Sequence, residues 1–201
     1  MSSKNRGGAF EREIAKMLSL WWTEGEREDI FYRSHSSGAR FTQRKKSNKD
    51  TALQAGDLTC SDPIGEPLIR IWNCEFKTGY GKKRDIRDVD KRVVKKVIDR
   101  WDVLDILDSK QKEPILVRIW EQCRRDAELS GRETVLIFRR NNRSSCIMIT
   151  KSYFLRLSDY LGVFNSSFCN ISENFMVMNL KSFLYWAISF PRLLQSGVII
   201  K

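Results

Sequence analysis

Two residue types that often mark functional sites are scarce in this chain of 201 residues, which has one histidine, His35, and five cysteines. The cysteines are odd in number and show no C-x-x-C spacing, so they support neither a zinc site nor a disulfide framework. Long apolar runs are also missing, and no stretch reaches the roughly 18 uninterrupted apolar residues that span a bilayer. We expect a cytoplasmic protein with reduced thiols and no membrane partner.

Acidic residues are outnumbered by basic ones, 25 to 36, which gives a formal net charge of +11. The basic residues concentrate in three segments, at 40–49, 82–84 and 139–143. Clustered positive charge predicts a polyanionic partner, and nucleic acid is the commonest one. The alternative is a generally basic, solvated surface. His35 could serve as a base or a phosphate contact, although a lone histidine in a basic loop is more often solvated.

Hydrophobic periodicity predicts an α/β domain with a mixed β-sheet and helices on both faces. Helices are expected at residues 9–22, entered from a flexible Gly7-Gly8 pair, and at 114–129, ending near Gly131. Residues 34–51 are polar, basic and unperiodic, which indicates a mobile loop. Strands are expected at 29–33, 56–61, 68–77, 134–139 and 146–150, with the second and third forming an antiparallel hairpin around a turn at 62–65.

Two segments are expected to lie outside this core. Residues 86–108 are charged, with apolar residues at helical spacing, and predict an inserted helix. Residues 151–201 carry many large aromatic and aliphatic side chains, which indicates a C-terminal apolar appendage for packing or dimerisation. Base stacking is the functional alternative for these aromatics. The chain length suits one core domain at residues 1–150 with this appendage.

Three residues on the expected hairpin could carry phosphodiester chemistry. Side chains alternate along a strand, so Glu75 and Lys77 point the same way, and the hairpin would bring Asp57 beside them. Gly56 would allow close approach of backbone or ligand. Two carboxylates can hold a hard divalent cation, while a lysine can orient the attacking water or stabilise developing charge. An ordinary exposed ion pair of Glu75 with Lys77 is the alternative, and it is the more frequent one for so short a pattern.

A carboxylate on the first expected helix adds an independent constraint. At about 100° per residue, Glu11 falls within the apolar arc of the helix, whereas Glu13 lies well outside it. A carboxylate on the packed side of a helix is costly unless it meets a metal, a cation or a hydrogen-bond donor. Either Glu11 meets such a partner, or it bends from the edge of the stripe into solvent.

Four motifs stand in order along the chain: Arg6-Gly7-Gly8-Ala9-Phe10-Glu11-Arg12-Glu13, Arg33-Ser34-His35-Ser36-Ser37-Gly38, Gly56-Asp57-Leu58 and Glu75-Phe76-Lys77. This series resembles the motifs of archaeal-type Holliday junction resolvases and related phage nucleases in the PD-(D/E)xK superfamily. The resemblance covers about residues 6–150 and implies a restriction-endonuclease-like core. The chain departs from the family in the long loop after Gly38, the inserted helix, the aromatic tail and Gly56, which replaces a proline.

The resemblance implies a Mg²⁺-dependent DNA endonuclease in which Mn²⁺ is expected to substitute. By motif matching, the catalytic residues it implies are Asp57, Glu75, Lys77, Glu11 and Gln122, the last on the helix that closes the family core. The metal ligands would be Glu11, Asp57, Glu75 and Phe76. The resemblance also implies that Ser37 and Gly38 lie by the DNA path. The expected DNA contacts are Arg6, Arg33, Ser37, Arg40, Arg44, Lys45, Lys46, Lys82 and Lys83.

We therefore expect an endonuclease that cuts branched DNA as a homodimer, because a symmetric dimer can cut both strands of a junction in one encounter. One alternative is a restriction-like or mobile-element nuclease acting on linear duplex DNA. Another is a DNA-binding module that keeps the fold without cleavage. The complete set of Asp57, Glu75 and Lys77 argues against the module, which has no need of a metal site.

Overall fold

The structure, a computed structural model, describes residues 3–34, 56–79, 83–87, 93–98, 115–140, 142–170 and 174–198, with the main chain alone at 3–6, 83–87 and 93–98. The α-helices are α1 (Ser3–Trp22), α2 (Glu66–Ile71), α3 (Ile115–Ser130), α4 (Lys151–Leu161), α5 (Leu180–Trp186) and α6 (Phe190–Gln195), and a short 3-10 helix covers Pro63–Gly65. The strands are β1 (Phe31–Arg33), β2 (Leu58–Cys60), β3 (Trp72–Thr78), β4 (Lys83–Arg87), β5 (Val93–Ile98), β6 (Glu133–Arg139), β7 (Cys146–Thr150), β8 (Phe168–Asn170) and β9 (Phe175–Asn179). None of the helices described is long and apolar enough to cross a membrane.

A five-stranded mixed sheet with the order β3-β6-β7-β9-β8 forms the centre of the fold. β3 and β6 are parallel, and the remaining neighbours are antiparallel. Two short antiparallel ribbons accompany it, β1 with β2 and β4 with β5. The expected α/β class with one mixed sheet is confirmed.

Helices cover both faces of this sheet. On one face, α1 and the three C-terminal helices bury a large core with alternate strand residues such as Val135 and Ile137. On the other face, α3 packs against Leu136 and Phe138 through a stripe that includes Trp120. The alternation of β6 between two apolar clusters is the pattern of a strand buried on both sides.

The periodic helices form as expected, with one difference at the start of α1. Phe10, Ile14 and Leu18 are buried at the predicted spacing. Gly7 and Gly8 lie inside α1, not in a flexible entry before it. α3 ends before Gly131, whose φ of +68° suits glycine and stops the helix.

The expected hairpin around residues 62–65 is wrong in two respects. The residues before β3 form α2, because Pro67 favours the first helical turn and Leu68 and Ile69 bury one side of that turn. β2 pairs with β1, not with β3. An intervening helix makes a tight β2–β3 hairpin impossible, yet the two strands still meet through main-chain contacts near Asp57.

Two other expectations outside the core are corrected. Where the inserted helix is expected, at 86–108, residues 93–98 form β5, which pairs with β4 through main-chain hydrogen bonds. Residues 88–92 and 99–108 of that range lie outside the described residues. Residues 151–201 are not a separate appendage, because β9 pairs with β7 and extends the central sheet. Their aromatics also fill the main core: Phe190 stacks on both Trp21 and Trp72, with ring centroids 6.0 and 5.9 Å apart.

Candidate active site

Asp57 is fixed to the free edge of β3 by two hydrogen bonds. Its main-chain N–H donates to the carbonyl of Cys74 at 2.6 Å, and its carboxylate Oδ2 accepts from the N–H of Phe76 at 2.8 Å. Its own carbonyl accepts from the N–H of Ser34 at 2.8 Å, which continues the β1–β2 ribbon to this point. The carboxylate is therefore placed directly beside Glu75, the residue between its two partners.

Glu75 and Lys77 share a face of β3, as their spacing predicts, and their side chains form an ion pair. Both are largely withdrawn from solvent, with 18% of the Glu75 side chain and 28% of the Lys77 side chain exposed. They are in register with Leu136 and Phe138, so they lie on the face that α3 covers. Such partial burial distinguishes the pair from the ordinary exposed ion pair that was the alternative.

The electrostatics of the site disfavour a second negative charge. Burial, followed by the nearby charge of Asp57, raises the pKa of the Glu75 carboxyl to about 7. Lys77 opposes this shift, and the charge of Asp126 on α3 adds to it. The negative charges of Asp57 and Glu75 repel each other. A cation bound at this edge of the sheet would stabilise both carboxylates in their charged form.

Gly56 permits the close approach of Asp57 to β3. Its φ is +80°, and a Cβ built there would overlap the carbonyl oxygen of Cys74 and lie 2.9 Å from Oδ1 of Asn73. The expectation that this glycine lets a backbone approach closely is confirmed. Asn73 is 2% exposed, and its Oδ1 has no hydrogen-bond partner among the described residues. A buried amide oxygen therefore faces Gly56, the residue before Asp57.

Glu11 contacts a cation, not the two carboxylates. Its Oε2 lies 3.3 Å from Nε of Arg33 in an ion pair. α1 packs on the sheet face opposite Glu75, and the described residues include no group of three acidic, histidine or cysteine side chains placed to hold a metal. The structure thus satisfies Glu11 with one of the partners expected for it, but does not bring it into the same site as Asp57 and Glu75.

Arg33 reaches Glu11 across a glycine of the first motif. A Cβ built on Gly8 would overlap Nη1 of the Arg33 guanidinium, whereas one built on Gly7 would meet only Glu11 Oε1 at ordinary contact distance, 3.8 Å. The two glycines therefore differ: Gly8 makes room for the Arg33 guanidinium beside Glu11, and Gly7 does not.

On α3, the acidic residue near the site is Asp126, which the sequence analysis missed. Gln122, the implied candidate on this helix, is exposed and lies one turn before Asp126. Burial raises the pKa of Asp126, while the charges of Arg125 and Lys77 lower it. The available signal was its position three residues after the buried Cys123, at the edge of the apolar stripe of the helix.

Most of the expected DNA contacts cannot be placed. Ser37, Gly38, Arg40, Arg44, Lys45, Lys46 and Lys82 lie outside the described residues, as do His35 and the greater part of the expected mobile loop. Only the main chain is described at Arg6 in α1 and at Lys83 in β4. Phe76, one of the implied metal ligands, buries its side chain on the α1 face. Its N–H points to the edge of β3 that carries Asp57. Because the N–H and C=O of one strand residue point to the same edge, its carbonyl points there as well.

Comparison with known proteins gives no further assignment: no family model, curated protein or solved structure matches the chain.

Proposed function

We propose that the chain is a Mg²⁺-dependent DNA endonuclease with Asp57, Glu75 and Lys77 at its active site. The observation that carries the proposal is the attachment of Asp57 to the edge of β3, which places one carboxylate beside the Glu75–Lys77 pair. The element order supports it as well. The chain runs α1-β1-β2-α2-β3-β4-β5-α3-β6, with β6 parallel to β3. Apart from α2, β4 and β5, this is the helix, three strands, helix and parallel strand expected for a restriction-endonuclease-like core.

The residues present fit a divalent cation. Mg²⁺ is commonly bound by one or two carboxylates and keeps several waters, so Asp57 and Glu75 suffice as protein side-chain ligands. The Phe76 carbonyl, directed to the same edge, is the third oxygen. Burial, and after it the charge of Asp57, raises the pKa of Glu75, so a cation at this edge would favour its charged form. Mn²⁺ prefers the same oxygen ligands and should substitute.

Each residue has a distinct role in hydrolysis. When bound, the cation polarises the scissile phosphoryl group and lowers the pKa of a water. Asp57 is held in place by the Phe76 N–H, so its carboxylate needs no reorganisation to meet the cation. Lys77, already in an ion pair with Glu75, can orient the attacking water and stabilise charge on the phosphate.

We place the DNA along the edge of the sheet where Arg33 approaches Asp57, and we propose branched DNA as the substrate. Resolution of a junction requires two active sites, which a homodimer supplies. The C-terminal aromatics are largely used within the chain. The apolar side chains that stay exposed there, and that could form a dimer interface, include Leu155, Val163, Tyr185 and Ile188.

The deciding experiment incubates labelled four-way junction, flapped and linear duplex DNA with the protein in Mg²⁺, Mn²⁺ or EDTA, and measures oligomeric state by sedimentation. Paired symmetric cuts in the junction by a dimer are the expected result. Cleavage of linear duplex at an equal rate would favour the restriction-like alternative. Binding without cleavage in either metal would favour the non-cleaving module and overturn the proposal.

A further inference from the structure

A basic cleft lies at the end of the sheet where β3 and β6 finish. It encloses about 220 Å³, and its charged and hydroxyl-bearing lining residues are Glu13, Arg139, Arg143, Ser144, Ser145 and Lys181. Three of these residues are basic and one is acidic. Its volume is below the roughly 300 Å³ at which small-molecule pockets begin, so it suits a single compact group better than a whole nucleotide.

One arginine of the cleft is held rigidly. Arg139 donates to Glu13 through both terminal nitrogens, at 2.6 and 2.8 Å, and its guanidinium carbon lies 4.7 Å from the centre of the Phe10 ring. A guanidinium fixed in this way loses little side-chain freedom when it meets an anion. Arg139 therefore supplies a preorganised wall of the cleft.

The other two basic residues supply its excess charge. Neither Arg143 nor Lys181 has an ion pair within the described part of the chain. Arg143 lies in the turn between β6 and β7, and Lys181 lies in the first turn of α5. Arg143 lies just after Asn142, whose φ is +59°, and the Lys181 N–H donates to the side chain of Asn179 at 2.9 Å. Arg143 and Lys181 therefore line the cleft from two different elements, the β6–β7 turn and α5.

The cleft adjoins the candidate active site. Thr78 and Arg139 are in register, and the N–H of Gly79 donates to the carbonyl of Arg139 at 3.2 Å. Lys77 pairs with Phe138, the residue before Arg139. Arg139 in the wall of the cleft is therefore one residue along β6 from the partner of Lys77. The cleft lies on the face that α1 covers, opposite the side chains of Glu75 and Lys77.

We infer that this cleft binds a backbone phosphate of the DNA strand that passes the active site, with Arg143 and Lys181 as its charged contacts. The inference deepens the proposed function and rests on it for the identity of the strand. Hydroxyls such as Ser144 and Ser145, together with arginine and lysine, are the groups that proteins use against phosphate oxygens. The cleft would hold the strand at the end of the sheet where β3 and β6 finish, so that the strand passes from the α1 face toward the edge that carries Asp57 and Glu75.

The test measures DNA binding without cleavage, in EDTA, over a range of salt concentrations. The variant R143Q/K181Q should lower the slope of log affinity against log salt by about one, since each neutralised phosphate contributes about 0.9 and the cleft holds one phosphate. The control is K151Q/R192Q, which removes two positive charges at the opposite end of the sheet, that of Arg192 from an ion pair with Glu24, and should keep the wild-type slope.

Equal slopes for the two double variants would overturn the inference. Titration with inorganic phosphate separates the sources of the anion: tight phosphate binding that R143Q/K181Q abolishes, with an unchanged DNA slope, would identify a free-phosphate site and also overturn it. Cleavage by the wild type in Mg²⁺ is measured in parallel. A protein that fails to cleave but shows the slope change would lose the proposed nuclease function and keep the cleft as a DNA-binding site.

Discussion

The main-chain N–H of Phe76 donates a 2.8 Å hydrogen bond to Oδ2 of Asp57. Through this bond, a residue outside the central sheet becomes part of the edge of β3, where Glu75 and Lys77 project. A carboxylate placed by a main-chain donor is positioned independently of any bound cation. Its charge and its structural role can therefore be separated by mutation.

Asp57→Asn should abolish most cleavage and preserve the fold. An asparagine can still accept the Phe76 N–H through its amide oxygen, but it carries no charge for the cation. We expect the rate of junction cleavage to fall by about 10²-fold or more, with DNA affinity unchanged or increased. Glu75→Gln should behave in the same way. Asp159→Asn, an exposed carboxylate on α4, is the matched control and should cut at the wild-type rate.

Gly56→Ala should destabilise the protein more than a glycine substitution with the same backbone strain elsewhere. Gly25 has a φ of +95° with open space around it, so Gly25→Ala should cost about 1–2 kcal/mol from conformation alone. Gly56→Ala adds overlap with Cys74 and should lower the free energy of unfolding by at least about 1 kcal/mol more. Urea denaturation of both variants measures the difference. Equal losses would mean that the close approach at Gly56 relaxes without cost.

Parts of this site were accessible to sequence reasoning because they depend on local periodicity. The alternation of a strand places Glu75 and Lys77 on one face in any register, and the helical spacing of Phe10, Ile14 and Leu18 predicts α1 without its partners. β6 and β7 were likewise predicted from apolar runs separated by a turn. Each of these features follows from neighbours within a few residues.

The remaining features depend on contacts between distant segments. The run from Leu68 to Trp72 is too short to distinguish helix from strand, and α2 is decided by Pro67 and by burial of its Leu68–Ile69 side. Asp126 reaches the site only because α3 packs across Glu75. The C-terminal aromatics were predicted to pack an appendage or a dimer interface, but β9 pairs with β7 and carries them into the main core.

The stability of the metal-free protein should depend on the protonation of Glu75. Its pKa is about 7 in the folded chain and 4.5 in the reference state, so the folded state retains a proton that the unfolded state has lost between these values. The free energy of unfolding should therefore fall as pH rises from 4.5 to 7. Glu75→Gln should remove this component, so that the variant gains stability relative to the wild type over the same interval.

Urea titrations of both proteins in EDTA at several pH values measure this difference. Mg²⁺ should reduce the loss in the wild type, because the cation favours the charged carboxylate. Parallel pH profiles for the wild type and the variant in EDTA would show that Glu75 ionises normally in the folded chain, in contradiction to its burial beside Asp57.

Gly8→Ala should impair the site without weakening the fold, whereas Gly7→Ala should not impair it. Both changes place alanine within α1 and should stabilise the helix by about 0.5–1 kcal/mol. Only the Cβ at position 8 overlaps the Arg33 guanidinium, which must move away from its place beside Glu11. Because the strand that carries Arg33 continues to the Ser34–Asp57 hydrogen bond, we expect weaker DNA binding and slower junction cleavage, by several-fold, in Gly8→Ala alone.

Arg33→Gln should reproduce the binding defect, since it removes the charge that Gly8→Ala displaces. Affinity in EDTA, cleavage rate in Mg²⁺ and urea midpoint are compared for the four proteins, and indistinguishable activities of Gly7→Ala and Gly8→Ala would remove Arg33 from the DNA path.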